Sequence, residues 1–253
     1  MNEVIKTLIN HRSYLKYSDK PVSDDDLQQI IRAAQAAPSW INGQQVTIIS
    51  VRDPERKKKL AEYSGNQKHV EEAPLFLVFC MDFYRAKIAG EIEETQLEAL
   101  SHTDVLLVGA VDVGLAMGNA IAAAESLGLG IRPIGGVRKF PLEVIELLQL
   151  PEHVIPICGL CVGYPAEDPG LKPRLPEKAV HHKEQYNPDL RAVIEEYNRE
   201  YEQYMLKQSG GSQRSNWTQR VSAFYKDAHY SGNYKDTAAM LKQQGFVCKD
   251  MKE

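Results

Sequence analysis

Missing from this 253-residue sequence is any self-sufficient set of catalytic groups. It has no Gly-x-Ser-x-Gly nucleophile elbow and no phosphate-binding P-loop, so the chemistry those motifs serve is not expected. The seven histidines are scattered, and the four cysteines form one C-x-x-C, Cys158 and Cys161. That pair lies in an apolar run that reads as a strand. Side chains three apart in a strand point to opposite faces, which suits neither a disulfide nor two zinc ligands, so no metal is expected. Positive charge is also short. Lys and Arg number 30 against 34 Asp and Glu, a net charge of −4, so no broad basic field is available for nucleic acid. Any phosphate site must be local. The opening MNEVIKTLINHRS lacks a basic stretch followed by a signal-like apolar run. With so few cysteines, this reads as a reduced, cytoplasmic protein. The most apolar stretch, 105–124, contains Asp112 and Asn119. A membrane span would carry Asp112 near its centre at a cost of about 2.5–3.5 kcal/mol. The stretch is therefore read as a buried helix, with no membrane involved.

What is present describes an ordinary globular chain, 43% hydrophobic and 25% charged, large enough for one core with an appendage. Val4, Ile5, Leu8 and Ile9 mark a short opening helix that stops at His11-Arg12-Ser13. A second helix opens at Ser23, with Asp24, Asp25 and Asp26 at the positive end of its macrodipole and a stripe of Leu27, Ile30, Ile31 and Ala34. The loop at 38–45 precedes a β-branched strand at Val46–Val51, and Asp53-Pro54 starts another helix. The runs at 75–81 and 154–163 read as central strands, the first buried on both faces. Few strands among many helices imply an α+β fold, one sheet between helical layers. Simple alternation also permits a parallel α/β fold. The texture changes after Pro165. A stiff Lys-Pro-Arg-Leu-Pro segment leads to an amphipathic helix with Leu190, Val193, Ile194, Tyr197, Tyr201, Tyr204 and Met205 on one stripe. A Ser/Gly loop at 209–215 and two short amphipathic pieces follow. The chain thus divides into a body, 1–189, and a helical extension, 190–253, which needs a surface, its own body or a partner subunit.

Several segments have the composition of ligand loops. Arg12 and Ser13 after a helix end, and Lys172 and Arg174 around a proline, are donors suited to a phosphate. Ser39, Asn42, Gln44 and Gln45 beside Trp40 suit a planar heterocycle, though the same residues make ordinary turns. The glycines at 128, 130, 135 and 136 fail the dinucleotide fingerprint, because position 133 is Pro and they follow a helix. Gly128 reads as a helix cap, whereas Pro133 to Gly136 can bring bare backbone against a flat ligand. Ligand loops without an evident acid, base, nucleophile or metal suggest that a cofactor carries the chemistry.

These segments, in this order, resemble the nitroreductase superfamily, and most closely its NADPH-linked oxygen-insensitive nitroreductase and flavin reductase branch. The resemblance rests on His11-Arg12-Ser13, the loop from Pro38 to Gln44, GNQKHV at 65–70, AAESLGLG at 123–130, IGG at 134–136, GLCVG at 159–163 and LKPRLP at 171–176. It spans nearly the whole chain. It implies an α+β homodimer with a central mixed sheet and two FMN sites at the subunit interface. His11, Arg12, Ser13, Lys172 and Arg174 would then hold the FMN phosphate end. Ser39, Asn42, Gln44 and Gln67 would line the ring and ribityl chain. Pro133, Ile134, Gly135 and Gly136 would run under the ring. The extension would embrace the partner subunit and contribute to the NADPH site, with Lys207 and Arg214 as candidate 2′-phosphate residues; both also read as solvated helix-end residues. One departure stands out: Leu15 occupies the place of a second basic residue after Ser13, and Lys16 follows it. The implied activity is ping-pong hydride transfer through flavin N5 from NADPH, with NADH also possible, to nitroaromatics, quinones, azo compounds, chromate or free flavin. A non-catalytic flavin-binding or regulatory protein, and an NAD-linked dehydrogenase without flavin, are the competing readings.

Overall fold

The structure is a computed structural model that describes residues 1–226, 230 and 232–251. Its elements start where short polar side chains cap them. Helix α1, Glu3–Ile9, is capped by Asn2, and α2, Asp24–Gln35, by Ser23, which accepts from the Asp26 N–H at 3.0 Å. Asp53 caps α3, Pro54–Tyr63, whose first residue is the proline. Helices α4, Lys68–Glu72, α5, Tyr84–Ile92, α6, Asp104–Ser126, and α7, Pro141–Leu148, complete the body.

Four strands, β1 Val46–Val51, β2 Leu75–Asp82, β3 Gly130–Ile134 and β4 Val154–Gly163, form a sheet in the order β1-β2-β4-β3. All three pairings are antiparallel, which removes the parallel α/β alternative. The parallel component of the sheet is a bridge from Ser13 to Ile131. Every residue of β2 is buried, as its continuous apolar run demands. Strand β3 is a finding of the structure: Arg132 and Pro133 break its apolar pattern, and Pro133 is tolerated because β3 is an edge strand.

Helix α6 buries one face, including Gly109, Asp112, Val113, Ala116, Ala120 and Ala124, and packs on α2 and β2. It is not buried all round, because Leu107, Val111 and Leu115 are exposed. By length and apolarity it is the one described helix that could cross a membrane, yet it carries buried Asp112.

By internal contacts the chain forms two units, Met1–Asp168 with Tyr234–Glu253, and Pro169–Asn233. The extension read as 190–253 is therefore shared between them, and residues 227–229, 231, 252 and 253 lie outside the described residues. In the first unit, α10, Thr237–Gln243, is followed by Gln244, whose Nε2 donates to the carbonyls of Pro151 at 2.7 Å and Val154 at 2.6 Å. Phe246 packs edge-on against Phe83 and His153. The second unit contains α8, Arg191–Gln208, and α9, Trp217–Tyr225.

Candidate functional site

The first group of candidate residues follows the edge strand. The Tyr14 N–H donates to the Ile131 carbonyl at 3.0 Å, which lays His11-Arg12-Ser13 beside the start of β3. His11 Nδ1 lies 2.6 Å from Glu125 Oε1 on α6, and Ser13 Oγ lies 3.4 Å from His11 Nε2. Arg12 donates from Nη1 to the Asn10 carbonyl at 3.0 Å. Its buried Nε sits 3.2 Å from Asp168 Oδ1 but makes no hydrogen bond.

At its far end β3 runs into a 3-10 turn, Gly135–Arg138. Gly136 is buried there, and a Cβ at this position would collide with the Ser64 carbonyl oxygen and Gln67 Nε2. Gln67 is held behind it by donating to that carbonyl at 2.7 Å. A Cβ at Gly135 would meet nothing nearer than Arg138 Nη2 at 3.8 Å. His11, Arg12, Ser13, Gln67 and Pro133 to Gly136 thus lie along one strand edge, with cationic and hydroxyl donors at one end and bare backbone at the other. A guanidinium whose anionic neighbour at Nε is the exposed Asp168, a nearby serine hydroxyl and an open glycine face fit a phosphate-bearing planar cofactor such as FMN.

The second group lies elsewhere. Ser39 and Gln44 line a cavity of about 250 Å³ with Arg85, Thr47 and Asp112. None of the β3-edge residues lines it. The loop is tightly wound: Ile41, Asn42 and Gln44 have φ of 50°, 56° and 53°, strained for a β-branched Ile41. Three contacts fix it. The Trp40 N–H donates to Asp112 Oδ1 at 3.2 Å, the Gln44 N–H to Ser39 Oγ at 3.1 Å, and Arg85 to the Gln44 carbonyl at 3.0 Å. Asn42 is exposed and does not line the cavity. Asp112 Oδ2 is buried without a partner. Arg85, Asp112 and Glu125 hold the candidate loops in place, a role the sequence alone does not mark for Arg85 or Glu125. An aspartate inside an apolar helix was the available signal for Asp112, and no local signal marks Arg85.

The third group belongs to the second unit. Arg174 donates from Nη1 to the Lys172 carbonyl at 2.9 Å, and Tyr197 ties the segment to α8 by donating to the Pro173 carbonyl at 2.9 Å. Lys172 and Lys207, assigned to different phosphates from the sequence, line one open pocket of about 430 Å³ with Tyr204 and Glu200. Arg214 is outside it and pairs through Nε with Glu202 Oε1 at 2.8 Å.

Burial favours the neutral form of three groups here, His69, Cys158 and Cys161. Burial, with the Arg132 charge second, lowers the His69 pKa to about 4, and its Nε2 is buried without a partner. Burial pushes the Cys158 and Cys161 thiols up, so neither is a thiolate nucleophile.

Residues 8–164 match the model of the Nitroreductase family, and residues 172–249 that of the Nitroreductase family, C-terminal domain. A Bacillus subtilis protein named FMN reductase [NAD(P)H] is 49% identical over 249 residues, which are 97% of this chain and 98% of that protein. A Salmonella typhimurium oxygen-insensitive NADPH nitroreductase is 39% identical over 222 residues, 87% of this chain and 90% of its own. Among solved structures, B. megaterium NfrA2 superposes with a TM-score of 0.94 at 53% identity, covering 97% of this chain and 98% of that one. Sequence, fold and strand-edge geometry agree, and the chain belongs to the nitroreductase family, in the branch that holds these NAD(P)H-linked flavin reductases and nitroreductases.

Proposed function

We propose that this chain is an FMN-dependent NAD(P)H oxidoreductase that reduces nitroaromatics, quinones, free flavin or similar acceptors. The observation that carries the reading is the β3 edge, where Arg12, ion-paired with the exposed Asp168 but making no hydrogen bond from Nε, lies beside Ser13 at one end and Gly135 offers an open backbone face at the other. FMN, when bound, supplies a two-electron carrier between nicotinamide and acceptor. The protein's part is to hold and exclude. His11, Arg12 and Ser13 hold the phosphate; Gln67 and Pro133 to Gly136 position the ring. One open face receives the nucleotide and the acceptor in turn. Lys207 and Arg214 read the 2′-phosphate of NADPH.

Ser39, Asn42 and Gln44 serve the same ligand in a homodimer, where one chain's loop completes the partner's site. Two observations support this: the loop's cavity is separate from the β3 edge, and α6 exposes Leu107, Val111 and Leu115. The extension embraces the partner subunit. The four free cysteines suit a reducing, cytoplasmic setting.

One observation favours the second reading, a non-catalytic flavin-binding or regulatory protein. At position 15 an apolar Leu stands where the resemblance expects a basic phosphate ligand, and its backbone N–H donates to Glu167 Oε1 at 2.9 Å. Initial-rate kinetics separate the two. Parallel double-reciprocal lines for NADPH against a quinone establish the enzyme, and absence of turnover with flavin bound establishes the binding protein.

A further inference from the structure

The segment after α8 folds back along that helix. Ser209, at the helix end, accepts the Gln213 N–H on its Oγ at 2.9 Å, and the Gly211 N–H returns to the Leu206 carbonyl at 2.8 Å. Beyond the loop, Asn198 grips Thr218 twice, accepting its N–H at 3.0 Å and donating to its Oγ1 at 2.9 Å. Between these anchors Arg214 lies against α8, its Nε 2.8 Å from Glu202 Oε1. The carboxylate side chain is 27% exposed and the guanidinium 75%. Glu202 is therefore the fixed member of the pair, and Arg214 is drawn to it. Lys207 has no such ion pair among the described residues.

We propose that Glu202 sets the donor preference of this enzyme: by engaging Arg214 it weakens recognition of the 2′-phosphate and admits NADH beside NADPH. The inference rests on the oxidoreductase reading, in which Arg214 reads that phosphate. A phosphate monoester carries about −1.5 to −2 charge at neutral pH. To reach Arg214 it must either share the guanidinium with the Glu202 carboxylate or displace it, and in both cases it sits beside a like charge. NADH lacks the group and does neither. Discrimination here comes from a repulsive element as much as from an attractive one. Because the pair is largely exposed, the effect is modest, about fivefold.

The test is Glu202→Gln in the full-length FMN-loaded protein, with two readouts. Calorimetry with adenosine 2′,5′-bisphosphate and with AMP measures phosphate recognition without turnover. The expected result is a bisphosphate affinity about fivefold tighter with AMP unchanged. The NADPH to NADH ratio of kcat/KM should rise by the same factor. Adding Arg214→Ala should cancel both gains. Equal changes for the two ligands, no change in either, or a gain that survives loss of Arg214 would overturn the role of Glu202. If neither nucleotide reduces the flavin of the unaltered protein, the oxidoreductase reading falls, and the calorimetric contrast still decides for or against Glu202.

Discussion

All eight residues of β2 are buried, whereas the eighteen residues of α8 bury only Tyr197 and Tyr201. Phe76, Leu77 and Phe79 have no exposed surface, and their contribution is dense, non-directional packing. The second unit relies instead on directional contacts. Tyr197 meets Tyr201 and Trp217 at ring distances of 5.9 and 6.0 Å and donates to the Pro173 carbonyl, while Asn198 clasps Thr218. Packing of the first kind fixes the strand edge proposed to position a ring. Contacts of the second kind can be exchanged one at a time, which suits the donor-tuning role proposed for this region.

The sharpest way to break this contrast is to cut into each region. Leu77→Ala, in β2, should cost about 2–5 kcal/mol by urea unfolding. A loss under about 1 kcal/mol would mean that the sheet is not the packed centre. Gly136→Val forces a side chain into the Ser64 carbonyl and Gln67, an overpacking worth about 1–3 kcal/mol. FMN affinity should fall roughly tenfold while far-ultraviolet dichroism stays native. Unchanged affinity would remove the β3 edge from the flavin site.

In the second unit the same kind of intervention should do less. Tyr197→Phe keeps the ring contacts and loses one hydrogen bond, about 0.5–1.5 kcal/mol. Limited proteolysis near the Lys172 segment should quicken, with global unfolding nearly unchanged. A large drop in global stability would instead show that the two regions unfold as one.

A further effect is one of pH. His69 has a folded pKa of about 4, below its ordinary value of 6.5. Between those values the unfolded chain binds the extra proton, so stability falls as pH drops from about 6.5 to about 4 and then levels. Since the ring is half-buried, screening reduces the slope. His69→Gln should flatten the stability profile in that window, and an unaltered profile would assign the slope to other groups.

Much of this architecture was legible because it is written locally. Ser23 and Asp53-Pro54 announce their helices, and 75–81 and 154–163 announce central strands through unbroken apolar runs. Strand β3 was not legible, because five residues containing Arg132 and Pro133 become a strand only by pairing with β4. The candidate residues were identifiable by type, but their grouping was not. Nothing in the order of the chain places Ser39 and Gln44 in a cavity apart from the β3 edge, or Lys172 beside Lys207. The tie from Asp112 to Trp40 spans 72 residues and that from Glu202 to Arg214 spans 12, and each depends on the helix, α6 or α8, that carries its carboxylate.

The central claim, that the β3 edge holds a flavin reducible by nicotinamide, is tested most directly by an anaerobic absorbance titration of the purified protein with NADPH and then NADH. The account predicts a yellow protein that bleaches with either nucleotide and regains its colour on addition of a quinone or nitroaromatic. Yellow protein that neither nucleotide bleaches, or protein that stays colourless after FMN is supplied, would contradict it.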